Sequence, residues 1–367
     1  MSKFEKLKLP GYGQMPGVAF HCSDAQLAAS GPRVLIFGGQ RQGIQGSMYS
    51  FEQSSGDGFA LLPDSAEGTG PPPPARTQAT LTSVGVEPQE KLILFGGFVL
   101  NVGCENDLWK VAIGLDVSSM PVPTWEKIDA AGEPPCQRYG HSATYLHDKG
   151  KIVIIGGQDQ LTQYNDVFML DVASETWSQP TVTGTPPTVR MKHTANAYSK
   201  SELFIFGGFN RAVDVRVMDD AYKLEVQGDG SSVAWTTLSL EAPAGSKSIP
   251  ARAQHAAAVS SSGKFVFIFG GYDGAKCLND FWLVELGTKA TRKIDLEAPL
   301  PEARSRHTMH VIGDVLHVFT GFDGSKACSG DIFTLDVSDP AGMESGGGGE
   351  GDGKKKEEKK KDDDDED

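Results

Sequence analysis

Short apolar runs punctuate this chain at a long, loose period, and each ends in glycine. They read VLIFGG at 34–39, LILFGG at 92–97, IVIIGG at 152–157, LFIFGG at 203–208, VFIFGG at 266–271 and LHVFTG at 316–321. The first glycine position falls at 38, 96, 156, 207, 270 and, as threonine, 320, so the period varies between 50 and 63 residues. Such runs are too short for a helix and rich in β-branched and aromatic residues, which is how a strand packed on both faces reads. The diglycine predicts a sharp turn through backbone angles that side chains resist. Thr320 in that place implies either that the sixth copy does not need the conformation or that its loop differs.

A second element follows at a nearly constant offset: SMYSFEQ (47–53), DLWKVAI (107–113), DVFMLDV (166–172), DAYKLEV (220–226), DFWLVEL (280–286) and DIFTLDV (331–337). Its third residue is always aromatic, and its tendency to alternate predicts a strand with one face on the core. A third element, FALL (59–62), WEKI (125–128), WSQP (177–180), WTTL (235–238) or TRKI (291–294), follows five of the six. After a proline-rich turn, Arg-x-x-His opens a further strand at Arg138/His141, Arg190/His193, Arg252/His255 and Arg304/His307. Repeat two keeps Arg76 but has Ala79, and repeat one aligns with Gln14 and Gly17. Four short antiparallel strands per unit are the content of one propeller blade.

Diglycine, a following aromatic and a spaced tryptophan at this period resemble the kelch repeat over residues 3–337. The P-P-x-x-R spacing and unequal loops are more similar to kelch proteins related to the Rab9 effector and host cell factor than to the tight repeats of ubiquitin-ligase adaptors. The resemblance implies an all-β, six-bladed propeller over residues 1–340, with blades at about 17–62, 76–128, 138–182, 190–238, 252–294 and 304–337. FEKL at 4–7 aligns with WEKI at 125–128, while the sixth repeat ends without a fourth strand. Residues 3–9 are therefore expected to supply the outer strand of blade six and close the ring, which would otherwise leave an open strand edge.

Composition adds the setting. No apolar run approaches the roughly 20 residues that span a bilayer, and no basic-then-apolar leader is present, so a cytoplasmic protein without membrane insertion is expected. The five cysteines are scattered, with no CxxC pair, and read as reduced thiols. A net charge of −14 opposes a nucleic-acid partner, because phosphate binding needs a basic surface. With 6 Lys against 11 Asp plus Glu, residues 341–367 carry −5 and residues 1–340 carry −9. That Gly-rich and Lys/Asp/Glu-rich tail cannot bury a core and is expected to be disordered and solvated. An electrostatic contact or a weak import signal are its functional alternatives.

Candidate chemistry is sparse. Four of the eight histidines recur at one repeat position and so read as structural; His307, His310 and His317 cluster in sequence, but no ligand-spacing rule is met, and neither metal nor cofactor is expected. In kelch propellers that recognise peptides, the residue after the diglycine and the one before the inner strand face the channel mouth. The resemblance therefore implies partner-binding roles for Gln40, Phe98, Gln158, Phe209, Tyr272 and Phe322, and for Lys192, Gln254 and Arg306, with Arg41 and Arg211 on the same loops. Gly140 adds no side chain there, and Gln78 sits in the repeat whose motif is broken. Aromatics beside cations are residue types enriched at binding hot spots, and arginine on an acidic body suggests an acidic ligand segment. The leading reading is a monomeric, non-catalytic interaction module or scaffold binding a protein segment, with a vesicle-traffic or cytoskeletal partner by family analogy. The competing reading is an enzyme using the same mouth, either a small-molecule isomerase or a metal-dependent lyase.

Overall fold

Each apolar run forms the second strand of an antiparallel sheet and packs on both faces. In Gly31–Phe37, Leu35 and Phe37 face blade two with Leu92, Leu94 and Trp125, while Val34 and Ile36 face blade six with Ile312, Phe319 and Ile332. The same division recurs at the other blade junctions, so the hydrophobic core is six clusters, each shared by two neighbouring sheets. The computed structural model describes residues 3–7, 21–28, 31–40, 42–52, 59–64, 70–85, 91–115, 121–211, 216–245, 247–298, 300–328 and 332–343. Among them the only helical turn is a 3-10 segment, His147–Lys149, and no helix is long and apolar enough to cross a membrane.

Six sheets of four or five strands form the blades of a β-propeller. In blade three, Ser142–Leu146 is innermost and is followed outward by Lys151–Gln158, Gln163–Asp171 and Thr176–Ser178. The outer strand of blade six is Glu5–Lys6, antiparallel to Ile332–Asp336 with Glu5 opposite Thr334 and Lys6 opposite Phe333. Phe4 is fully buried, with ring centroids 5.6 Å from Phe269 and 5.9 Å from Phe281 of blade five. Trp125 and Trp177 stand in the same relation to Phe37 and Phe95 of the preceding blades, at 5.1 Å. The N-terminal strand therefore closes the ring as expected, with Phe4 in the place of an outer tryptophan.

Two boundaries differ from expectation. Thr181–Gly184 does not finish blade three but runs parallel to Ser232–Leu238 as a fifth strand of blade four. Pro180 has no N–H to continue the antiparallel ladder, and a Cβ at Gly184 would clash with the Trp235 carbonyl, so this edge accepts the backbone only without a side chain. The ordered body also continues past residue 340. Met343 is buried among Phe4, Leu335 and Val337, and Arg292 donates to the carbonyls of Pro340, Ala341 and Met343. The rest of the charged tail, 344–367, lies outside the described residues.

The blades are tied together by the arginines. The Arg138 carbonyl accepts from Gly97 N of the preceding blade (2.9 Å), and its own N–H donates to the Glu105 carbonyl of that blade (3.0 Å). Its guanidinium turns the other way, to the Gly156 carbonyl (2.8 Å) and to both carboxylate oxygens of Asp166 (2.7 and 2.9 Å) in its own blade. Arg76–Asp107, Arg190–Asp220 and Arg252–Asp280 repeat this brace, with all four arginine side chains at 0% exposure. Arg304 bonds the Thr320 carbonyl at 2.9 Å; Asp331, its counterpart acid, lies outside the described residues. The third-strand aromatics cover the guanidinium: Phe168 lies 5.7 Å from Arg138, Tyr222 5.2 Å from Arg190 and Phe333 5.1 Å from Arg304.

Two consequences are measurable. Removing residues 1–9, or replacing Phe4 by Ala, empties a filled site between blades five and six and is expected to lower stability by about 3–5 kcal/mol; an unchanged melting temperature would refute the closure. Asp280→Ala leaves the Arg252 charge buried without its carboxylate and is expected to cost about 3–5 kcal/mol in denaturant unfolding. A loss below about 1 kcal/mol, the range of an exposed pair, would show that the brace is not a tie.

Candidate functional site

The brace sets the shape of one end of the channel. Three residues beyond Arg138, Arg190, Arg252 and Arg304 stand His141, His193, His255 and His307, and the residue before each histidine enters the left-handed region: Gly140 (φ 67°), Lys192 (57°), Gln254 (58°) and Arg306 (59°). Gln78, at 57°, takes the same conformation ahead of Ala79, so the broken motif of repeat two does not displace it. Gly140, Lys192, Gln254 and Arg306 each donate the backbone N–H to the carbonyl of the equivalent residue one blade back. The bonds from Gly140 to Gln78 (3.1 Å), Lys192 to Gly140 (2.7 Å), Gln254 to Lys192 (3.0 Å) and Arg306 to Gln254 (2.8 Å) form an arc around the mouth.

Inside this arc is a cavity of about 140 Å³ lined by Gln78, Gly140, Lys192, Gln254 and Arg306, with the histidines behind them. The residue after each diglycine lies alongside: Gln158 bridges Tyr139, Phe209 bridges Met191, Tyr272 bridges Ala253 and Phe322 bridges Ser305, while Phe98 pairs with Thr77. The two sets of positions are thus neighbours in every one of these blades. Arg306 stacks on Phe322 at 4.6 Å and donates Nε–H to Gln254 Oε1 at 2.9 Å. Lys192 is held down to about 8 by burial and by the positive charges of Arg306 and Arg211. Arg211 is exposed, on a loop that Gln163 of blade three steadies by donating to the Phe209 carbonyl at 3.1 Å.

Gln158 is 1% exposed and donates to the Tyr139 hydroxyl, and the Tyr272 hydroxyl donates to the Gly274 carbonyl at 2.7 Å. Phe98 stands edge-on to Tyr139 at 6.0 Å, and Gln40 is exposed beside Ile44. Arg41 lies outside the described residues.

A family model described as the KLHDC2/KLHL20/DRC7 Kelch-repeats domain matches residues 24–245 and 229–343. The chain belongs to the kelch-repeat family. Human host cell factor 2 is 28% identical over 272 residues, 69% of this chain and 31% of that protein. Human host cell factor 1 is 26% identical over 84% of this chain and 16% of its own length. Acyl-CoA-binding domain-containing protein 4 of Arabidopsis thaliana is 30% identical over 64% of this chain and 32% of its own length. This kelch chain therefore spans a third or less of these relatives.

The kelch histidines hold neighbouring blades together. His141 Nε2 shares a hydrogen bond with Thr80 Oγ1, His193 with Ser142 and His255 with Thr194, all at 2.9 Å. Across the closure, His21 meets Thr308 at 3.0 Å. His21 is thus the repeat-one member, because Cys22 opposes Phe37 as Thr194 opposes Phe206 and Ser142 opposes Ile155. The expected register on Gln14 and Gly17 lies four residues ahead of this position, and the spacing from the histidine to the diglycine is the signal in the sequence that marks His21 instead. His307 has Ala256 at the equivalent partner position, and Cys22 with Ala79 make an apolar match between blades one and two.

Thr320 overturns the first of the two alternatives, that the sixth copy does not need the conformation: it keeps the left-handed conformation at φ 51° and is fully buried, with Oγ1 3.2 Å from His21 Nδ1. A β-branched residue is strained there, and only the surrounding closure holds it. His310 and His317 are directly opposed across two strands of blade six, whereas His307 belongs to the mouth. Among the described residues no three His, Cys, Asp or Glu side chains converge as metal ligands.

Burial keeps these histidines neutral. It lowers His193 and His310 to about 3 and His317 to about 4, and pushes His141, His255 and His307 well below the usual value. A folded value below the unfolded one gives stability that is present above about pH 6.5 and lost as pH falls, by up to about 1.4 kcal/mol per pH unit for each histidine. Asp24, raised to about 6 by burial in the channel, acts in the opposite sense between about pH 4 and 6, but it is one group against six. The melting temperature is expected to be highest above pH 7 and to drop steeply below 6.5. A flat profile from pH 7 to 5 would show that the histidines protonate in the folded state.

Proposed function

We propose that this kelch propeller is a non-catalytic interaction module whose channel mouth binds an acidic segment of a partner protein. The observation that carries the reading is the convergence of Lys192 and Arg306 on one small cavity, with Arg211 close enough to depress Lys192, on a chain whose net charge is −14. Cations gathered against one another at an opening favour a ligand that brings carboxylates. Phe322 beneath Arg306, with Tyr272 and Phe209 on the adjoining loops, supplies flat surface for the backbone of such a segment. Membership of the kelch family, with host cell factor relatives, supports a protein partner.

The test uses a fluorescein-labelled Asp/Glu-rich peptide titrated with the full chain. Lys192→Gln with Arg306→Gln is the apt variant, because Gln78 and Gln254 already occupy the same conformation in the ring. Binding is expected to weaken at least about tenfold in the double variant, to weaken with added salt, and to fall as pH rises through 8, where Lys192 loses its charge. Equal affinity of the double variant and the parent chain would defeat the reading.

A further inference from the structure

The mouth is not uniform around its circumference. Lys192 and Arg306 stand on blades four and six, whereas blade three contributes Gly140, the one position of the arc without a side chain. Behind that gap lie the loops of blades two and three. Seven large hydrophobic side chains are exposed among the described residues, and three of them are on these two loops: Leu100 at 58%, Val102 at 67% and Leu161 at 97%. Leu100 and Val102 sit in the turn between Lys91–Val99 and Gly103–Leu115, and Leu161 in the turn between Lys151–Gln158 and Gln163–Asp171.

The two turns touch, since a Cβ at Gly103 would stand 3.0 Å from Gln160 Nε2. They also connect to the mouth: Phe98, at the base of the first turn, packs at 6.0 Å on Tyr139, which precedes Gly140. A single exposed leucine needs no explanation, but three exposed apolar side chains on two adjoining turns beside a cationic cavity offer an apolar shelf next to Gly140.

We propose that the partner segment has two parts: acidic residues over Lys192 and Arg306, and an apolar side chain that leaves through the Gly140 gap and seats on Leu100, Val102 and Leu161. This rests on the mouth reading above and adds the second element of recognition. Charge gives encounter and register, while burial of an apolar side chain gives lifetime. An extended peptide suits both, because the cations and the shelf lie on different blades of one rim.

Three labelled peptides test this at low salt: a six-residue Asp/Glu peptide, the same peptide extended by two leucines, and the same extended by two serines. The leucine extension is expected to bind at least about tenfold tighter than the serine extension, the gain from burying one such side chain. Leu100→Ser with Leu161→Ser, both at exposed tips, is expected to erase that difference without changing affinity for the acidic peptide. Lys192→Gln with Arg306→Gln is expected to weaken all three alike. Equal binding of the two extended peptides by the parent chain, with acidic binding intact, overturns the shelf and leaves the mouth reading standing. A leucine advantage that survives the two serine substitutions also overturns the shelf. Failure of all three peptides to bind defeats the mouth reading and the shelf with it.

Discussion

A guanidinium buried at the junction of two blades is the interaction on which the rest of this propeller depends. Its residue gives both backbone groups to the preceding sheet and its side chain to the following one, so a single position fixes the angle between them. Desolvating a guanidinium is costly, and the cost is offset only because a carboxylate, a carbonyl and an aromatic ring surround it in fixed geometry. That demand explains features which look independent along the chain: the aspartate of the third-strand segment, the aromatic two residues later, and the glycine whose carbonyl accepts from the guanidinium.

The first glycine of each pair shows how tight the arrangement is. A Cβ at Gly156 would lie 2.7 Å from the Arg190 carbonyl, and one at Gly207 would lie 2.5 Å from that of Arg252, both at positive φ. Only the closing blade departs from this rule, and there Thr320 turns its hydroxyl toward His21 across the junction. Strain at one residue is thus placed where the ring closes and many other contacts determine the backbone.

From the brace the chain passes in three residues to a left-handed position and then a neutral histidine. The left-handed step turns Lys192, Gln254 and Arg306 into the mouth, and the histidine fastens to the hydroxyl of the previous blade. Stability and the candidate site therefore share one short segment per blade. His141, His193 and His255 serve cohesion between blades, and the mouth carries charge and flat aromatic surface.

Much of this was legible in the chain. An apolar run packed on both faces leaves an unbroken signature, so six central strands, and with them six blades, could be counted from residues alone. The match of FEKL to WEKI likewise foretold that Phe4 would stand in for a tryptophan. The repeat-one histidine was missed because its motif had lost the arginine that marks the register, and the parallel strand Thr181–Gly184 because nothing in a short polar segment says which neighbour it will join. The mouth was legible as a set of positions, not as a surface: the sequence does not show that Gln158 turns inward to Tyr139, or that Lys192 and Arg306 share one cavity. Local pattern determines which strands form, because burial acts on each residue where it stands. Ring closure alone decides which distant side chains meet, because that depends on the angle each arginine sets between neighbouring blades.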